Sequence, residues 1–359
     1  MYFLGFLQFL IWPLIIIGII MFFVNRHKRK NKDQHLQLAL SKEDALSELF
    51  LFLSILFLGV TLLAFNKDFG NPFSWQTILF ITSVVGLISA YYFKIIYTLM
   101  FSLIGIASWW GVQASEWIDG KDIKTSSIYV GLIFLILLFY IIGNLHEKEI
   151  KFKRFSLVYL ILGIIPMTGA LLFFSTKPGI STLNDMIKGA MFFGSWQLTL
   201  SLFSFIIFII IAMFYSINKK SISIFELVAV FILIILFCVI SFLPEQNMFL
   251  YEGTKYDFNT ANQLSGNGIF WAVIFNLAIF FELLGLIFSG YLRHKKWLIN
   301  LGTFFLFLLI IIKYFDWFFT FLDKSIFFIG AGILLFGVGW FMEKGRRYMF
   351  ANIKNESHE

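Results

Sequence analysis

Eleven apolar runs of bilayer length, joined by short polar connections, restrict this chain to one class of fold. The runs span 3–24, 46–65, 75–93, 95–114, 127–145, 155–174, 195–217, 223–243, 268–292, 297–315 and 325–342. At roughly 1.5 Å per residue each can cross the ~30 Å of bilayer hydrocarbon, some with tilt. Hydrophobic residues make up 59% of the 359 and charged residues 14%, against about 25% charged in a soluble domain. So much apolar surface exceeds what one soluble core can hide, and lipid must cover it. The +7 net charge does not indicate nucleic-acid binding, because the basic residues are scattered over short loops and form no basic domain.

The basic cluster Asn25–Lys32 (NRHKRKNK), set between the first two runs, orients the rest. A cationic connection of this kind stays on the cytoplasmic side. The start, MYFLGFLQFL, lacks a basic leader and a small-residue cleavage site, so it reads as a retained span with its N-terminus outside. Alternation then places loops 25–45, 94, 146–154, 218–221 and 293–296 inside, with the basic tail 343–359. These segments hold 20 of the 28 Lys and Arg, the excess that the positive-inside rule requires. The expected architecture is an all-α integral membrane protein of about eleven transmembrane helices, C-terminus cytoplasmic. It divides into a first span with a basic linker (1–45), a ten-helix bundle (46–342) and the tail. Tyr91–Lys94 is read as a very tight connection between two spans, since one helix of about 40 residues is too long for a single crossing.

Without the first span, ten remain, and two sets of five (46–174 and 195–342) begin on opposite sides. That parity is what an inverted-repeat transporter requires. The fifth span of each set carries breakers, Gly163-Ile164-Ile165-Pro166-Met167-Thr168-Gly169 in one and Gly330, Gly332, Gly337 and Gly339 in the other. Matched interruptions point to a midplane site, although glycines seven apart also serve close helix packing.

Intramembrane acids are costly and mark functional sites by default. Glu282 is the deepest, about eleven residues (~16 Å) from Arg293 at the end of its span. Asn276 lies six residues away, about 120° around the helix. Glu282, Asn276, Pro166 and Gly332 are the candidate substrate or ion pathway; the plain alternative for Glu282 is a neutral acid hydrogen-bonded to a neighbouring helix. Glu48 and Glu226 sit in first turns, where a carboxylate complements the helix N-terminus.

Most of the tryptophans fall near one boundary or the other, as an aromatic belt does. The pair Trp109-Trp110, with Gln113 and Glu116, is the candidate for an outward-facing aromatic and acidic pocket. Glu116, Asp119 and Asp122 crowd one outer loop around Gly120. All five histidines fall in inside loops or the tail, no H-E-x-x-H helix or phosphate-binding loop is present, and Cys238 is the single cysteine. No cofactor and no metal are expected.

The C-terminal stretch Tyr314-Phe315-Asp316-Trp317, Leu322-Asp323-Lys324-Ser325-Ile326-Phe327-Phe328, then Gly330 to Gly339-Trp340-Phe341-Met342-Glu343 and Arg346-Arg347 resembles the end of a bacterial family of multi-span membrane proteins classed as a domain of unknown function. Such proteins close with an aromatic-Asp turn, a Gly-rich last span and a basic tail. The resemblance implies a bacterial inner-membrane protein and supplies no catalytic residue. The leading expectation is a transporter of a small solute or a lipid-linked substrate. The alternatives are an envelope enzyme of glycosyl- or acyl-transfer type and a non-catalytic membrane partner. A transporter should show a polar cavity at mid-depth; an enzyme should show paired carboxylates about 5–9 Å apart.

Overall fold

The computed structural model describes residues 42–249, 264–318 and 324–356. The expected first span, the cluster Asn25–Lys32 and Ser41 lie outside the described residues, as do the turn at 319–323 and most of the loop 244–267. Eleven α-helices are present among the described residues: α1 (Lys42–Asp68), α2 (Trp75–Phe93), α3 (Ile96–Ile118), α4 (Ser126–Glu147), α5 (Lys153–Phe174), α6 (Lys177–Met186), α7 (Trp196–Asn218), α8 (Ile224–Phe242), α9 (Gly266–Leu292), α10 (Lys296–Phe318) and α11 (Lys324–Glu356). All but the short α6 are long and apolar enough to cross a membrane, ten in number. The last helix is longer than expected, because it continues unbroken through the basic segment 343–356.

The chain forms two compact units, the first ending at Trp109 and the second running from Trp110. The division falls inside α3, not between 174 and 195. In the first unit α2 and α3 meet along a seam of small residues. A Cβ on Gly86 would come within 2.3 Å of the Ser102 hydroxyl, and one on Gly105 within 2.2 Å of that of Ser83. Small residues let membrane helices approach until their backbones nearly touch. The expected break at Lys94 is present: α2 ends with Lys94 in the left-handed region (φ 60°), and the next N–H, of Ile95, reaches back to the Ala90 carbonyl at 3.1 Å.

The second unit is built on α4 and α5, its most buried long helices. Gly143 of α4 packs on Leu160 of α5, and Gly163 of α5 on the Tyr140 backbone of α4. Helix α7 also lies on α4, α8 packs on α4, and α9 packs on α5 and α10. Helix α6, missed by the sequence reading, begins at the N-cap Thr176 with Pro178 in its first turn and buries Ile180, Leu183 and Met186.

Polar contacts define the two ends of this unit. At one end Lys219 after α7 pairs with Glu149 after α4 at 2.9 Å. There, too, Glu226 of α8, Arg293 after α9 and Glu147 of α4 converge. At the other end Lys124 donates its N–H to Met191 at 2.8 Å and its ammonium to the Leu243 carbonyl at the close of α8. Asn184 accepts from the Met248 N–H at 3.2 Å, and Lys313 reaches the Ser175 carbonyl at the close of α5. Connections 146–154, 218–221 and 293–296 therefore share one end, as alternation expects. It is called the basic end below, and its opposite the far end.

Candidate functional site

The site begins at the basic end of α8. Ser223 caps the helix by accepting from the Glu226 N–H at 3.3 Å, while the Glu226 carboxylate accepts from the Ser223 N–H at 3.0 Å. This capping box satisfies two donors that the helix would otherwise leave open. The same carboxylate then faces α9. Its Oε1 accepts from Ser289 at 2.9 Å, and its Oε2 pairs with the Arg293 guanidinium. Arg293 also donates to Asn144 Oδ1 at 2.7 Å, and Asn144 is buried, its own amide turned to the Tyr140 carbonyl at 3.0 Å. Lys295 pairs with Glu147 at 2.5 Å. Two acids and two bases thus balance where α4, α8, α9 and the turn into α10 meet. Partly buried charges are tolerable because each has partners.

Beyond the cluster runs a cavity of about 500 Å³ between α8 and α9, floored by α4 and α5. Leu137, Leu160, Ile164, Met167, Val230, Leu233, Leu286 and Leu298 make its interior largely apolar. Phe225 and Ile232 on α8 and Phe281 and Phe288 on α9 are both lining and exposed, 85%, 57%, 65% and 61% respectively. They form the lips of a groove that opens sideways, between exposed apolar side chains of α8 and α9.

Glu282 lines this groove away from the charged cluster. Its Oε1 accepts from Thr168 at 3.0 Å, and its Oε2 is buried with no hydrogen-bond partner among the described residues. Thr168 follows two residues after Pro166 on α5, where the missing proline N–H leaves a carbonyl of the preceding turn without its usual helical donor.

The four residues proposed as one pathway are not brought together. Asn276 spends its amide on the Ala272 and Ser175 carbonyls, at 2.6 and 3.3 Å, toward the far end. Pro166 is exposed on the outer side of α5, because the proline ring and the groove-lining Gly163, Ile164 and Met167 fall on different faces. Gly332 on α11 is exposed, with nothing near the position of a Cβ. Of the four, only Glu282 lines the groove. Of the aromatic candidates, Trp109 belongs to the first unit and Trp110 to the second. Trp110 is fully buried: its indole packs on Gly131 and donates to the Ile128 carbonyl at 3.4 Å, so no external ligand reaches it. Trp109 stacks on Phe80 at 4.3 Å between centroids. Gln113, partly buried, donates to the exposed Glu116 at 3.2 Å. In the acidic loop, Asp122 accepts from the Ala190 N–H at 3.2 Å, which ties two far-end loops together.

Sequence reasoning missed Tyr140, Asn144 and the second role of Glu226. Tyr140 and Asn144 are polar residues four apart in an otherwise apolar span, a signal that marks one helix face. Tyr140 lines the groove together with Asn144 and Glu226.

No family model, curated protein or solved structure matches the chain. The functional reading therefore rests on this geometry.

Proposed function

We propose that the protein is a membrane transporter whose substrate is an amphiphile, a lipid or a lipid-linked molecule, taken sideways into the groove between α8 and α9. The observation that carries this reading is the groove itself: lipid-side lips, an apolar interior and a compensated charge cluster at one end. A small polar solute would need the polar mid-depth cavity that was expected, and the lining is instead mostly hydrocarbon. An amphiphile matches it, with chains against Leu137, Ile164 and Leu233 and a polar group against Glu226, Arg293 and Asn144. The basic end is assigned to the cytoplasm of a bacterial cell, on the positive-inside rule. We read the activity as transport in preference to group transfer, since Glu116 is engaged by Gln113 within α3 and Asp122 by the Ala190 N–H of a neighbouring loop.

The test is movement of a labelled lipid. Purified protein is reconstituted into vesicles of neutral and anionic phospholipid carrying fluorescent phosphatidylglycerol, and transfer between leaflets is followed by chemical quenching. Gly285 lines the groove and has open space where a side chain would stand, so Gly285→Trp fills the groove without a clash at Cβ. Transfer above empty vesicles, reduced at least about tenfold by Gly285→Trp, is expected; that factor corresponds to ~1.4 kcal/mol. Wild-type protein that moves lipid no faster than empty vesicles, or a variant as fast as wild type, refutes the proposal.

A further inference from the structure

Glu282 is out of keeping with its surroundings. The groove around it is hydrocarbon, Thr168 satisfies one carboxyl oxygen, and the other is buried with no partner among the described residues. Elsewhere in the groove, charge is balanced. Glu226 meets Arg293, and Lys295 with Arg293 meets Glu147. The ionisable side chains that face the groove from α4 and α8 are Tyr140 and Glu226, and those from α9 and its turn are Arg293 and Lys295; α5 presents none. All four belong to the basic-end cluster, and Lys313 of α10 is directed to Ser175 at the far end. Among the described residues Glu282 makes no ion pair. An ionised carboxylate here lacks a counter-charge, and hydrocarbon makes that expensive.

We infer that Glu282 is the recognition point of the groove, taking the cationic group of an apolar ligand, an onium or ammonium on a hydrocarbon body, in exchange for a proton. This deepens the amphiphile reading and rests on it. The chemistry balances: the carboxylic acid gives its proton to solvent, the carboxylate pairs with the arriving cation, and the net charge of the groove is unchanged. A cation with an apolar body satisfies both parts of the site, since the body replaces the hydrocarbon contacts and the charge meets Oε2. A fully hydrated inorganic cation satisfies only one, because the lining offers it few oxygen ligands.

The probe is tetraphenylphosphonium, titrated into the purified full-length protein in detergent. Binding should strengthen as pH rises, by up to about tenfold per pH unit while proton and cation compete, with one proton released per cation in weakly buffered solution. Glu282→Gln should lose both binding and proton release, Glu282→Asp should retain a weaker pH-dependent binding, and Gly285→Trp should block the site. Absence of binding, binding without proton release, or binding retained in Glu282→Gln overturns the inference. If Glu282→Gln does not fold, proton release from wild type and the Glu282→Asp titration decide it. The labelled-lipid assay on the same preparation separates the two readings. Lipid moved without cation binding leaves the groove reading standing and removes this one, and neither signal removes both. Cation bound at Glu282 with no lipid moved supports the site and refutes lipid transport.

Discussion

At the residue scale, Glu226 does two jobs with one carboxylate. It closes the N-terminus of α8 and holds Arg293 across the groove, and its side chain is 13% exposed against 24% for Arg293. Removing one member of such a pair strands the other charge in a poorly solvated place, which costs about 3 kcal/mol or more. Glu226→Gln and Arg293→Met should each lower thermal stability in detergent, and the double variant should be milder than the sum of the two. Additive losses in that double-mutant cycle would show that the pair does not couple α8 to α9. The Glu149–Lys219 contact is a surface counterpart. Lys219, donating a hydrogen bond, holds the Glu149 carboxyl below the usual carboxylate range, and the same bond raises the Lys219 ammonium. The depressed acid contributes above its ordinary 4.5 and is lost as pH falls through its lowered value; the raised base contributes below its ordinary 10.5 and is lost as pH rises through its higher one. Spin labels at Lys151→Cys and Lys220→Cys, in a Cys238→Ala background, should hold one distance distribution from about pH 5 to 10. Below that window the distribution should broaden. Both groups are exposed, so high salt should weaken the contact as well.

At the scale of elements, turns predicted inside and turns predicted outside use different residues for the same backbone geometry. Three of the connections predicted inside pass through the left-handed region, at Lys94, Lys220 and His294, with φ of 60°, 50° and 54°. In each, the next N–H reaches back to a carbonyl five residues earlier, at Ala90, Ser216 and Gly290. At the connections predicted outside the positive φ falls on Gly70, Asn71, Gly120 and Gly189. Glycine takes this conformation freely, whereas a side chain there costs roughly 1–2 kcal/mol. The turns predicted inside accept that cost while placing basic side chains where the positive-inside rule expects charge. Lys94→Gly should therefore raise the melting temperature and, at the same time, weaken the topological bias of α2 and α3. A Lys94→Gly variant that melts lower than wild type would contradict the first half of that statement. The α4–α5 contact admits a second prediction. A Cβ on Gly163 would meet the Tyr140 backbone at 2.8 Å, so Gly163→Ala should force the helices apart and destabilise by about 1–3 kcal/mol. That loss should appear both in thermal unfolding and in reduced lipid transfer, because Gly163 also lines the groove.

For the molecule as a whole, the threading of the second unit follows from its contacts, and its direction across the bilayer is an expectation from charge. Cys238 is the single cysteine, so its replacement gives a clean background for accessibility mapping. A cysteine at Lys148 or Lys219 should react with an impermeant thiol reagent only after cells are opened, and one at Lys188 should react on intact cells. The reverse pattern would invert the molecule and, with it, the side from which the charged end of the groove is reached.

The sequence by itself determined the membrane-like, all-helical character, the number of described spans and the sharing of an end by connections 146–154, 218–221 and 293–296. Those properties depend on hydrophobic length and on the placement of charge, both local in the chain. It also singled out Glu282, because an acid in a long apolar run is expensive wherever the run packs. It did not show that Asn276 would turn to Ser175, that Pro166 would face outward, or that Trp110 would be sealed against Gly131. Nor did it show that α8 and α9 would stand on either side of a groove, closed at one end by Glu226 and Arg293. Rotation of a helix about its axis and the choice of its neighbours depend on how side chains fit between helices far apart in sequence. In a span apolar on every side, hydropathy carries no record of which face is turned inward.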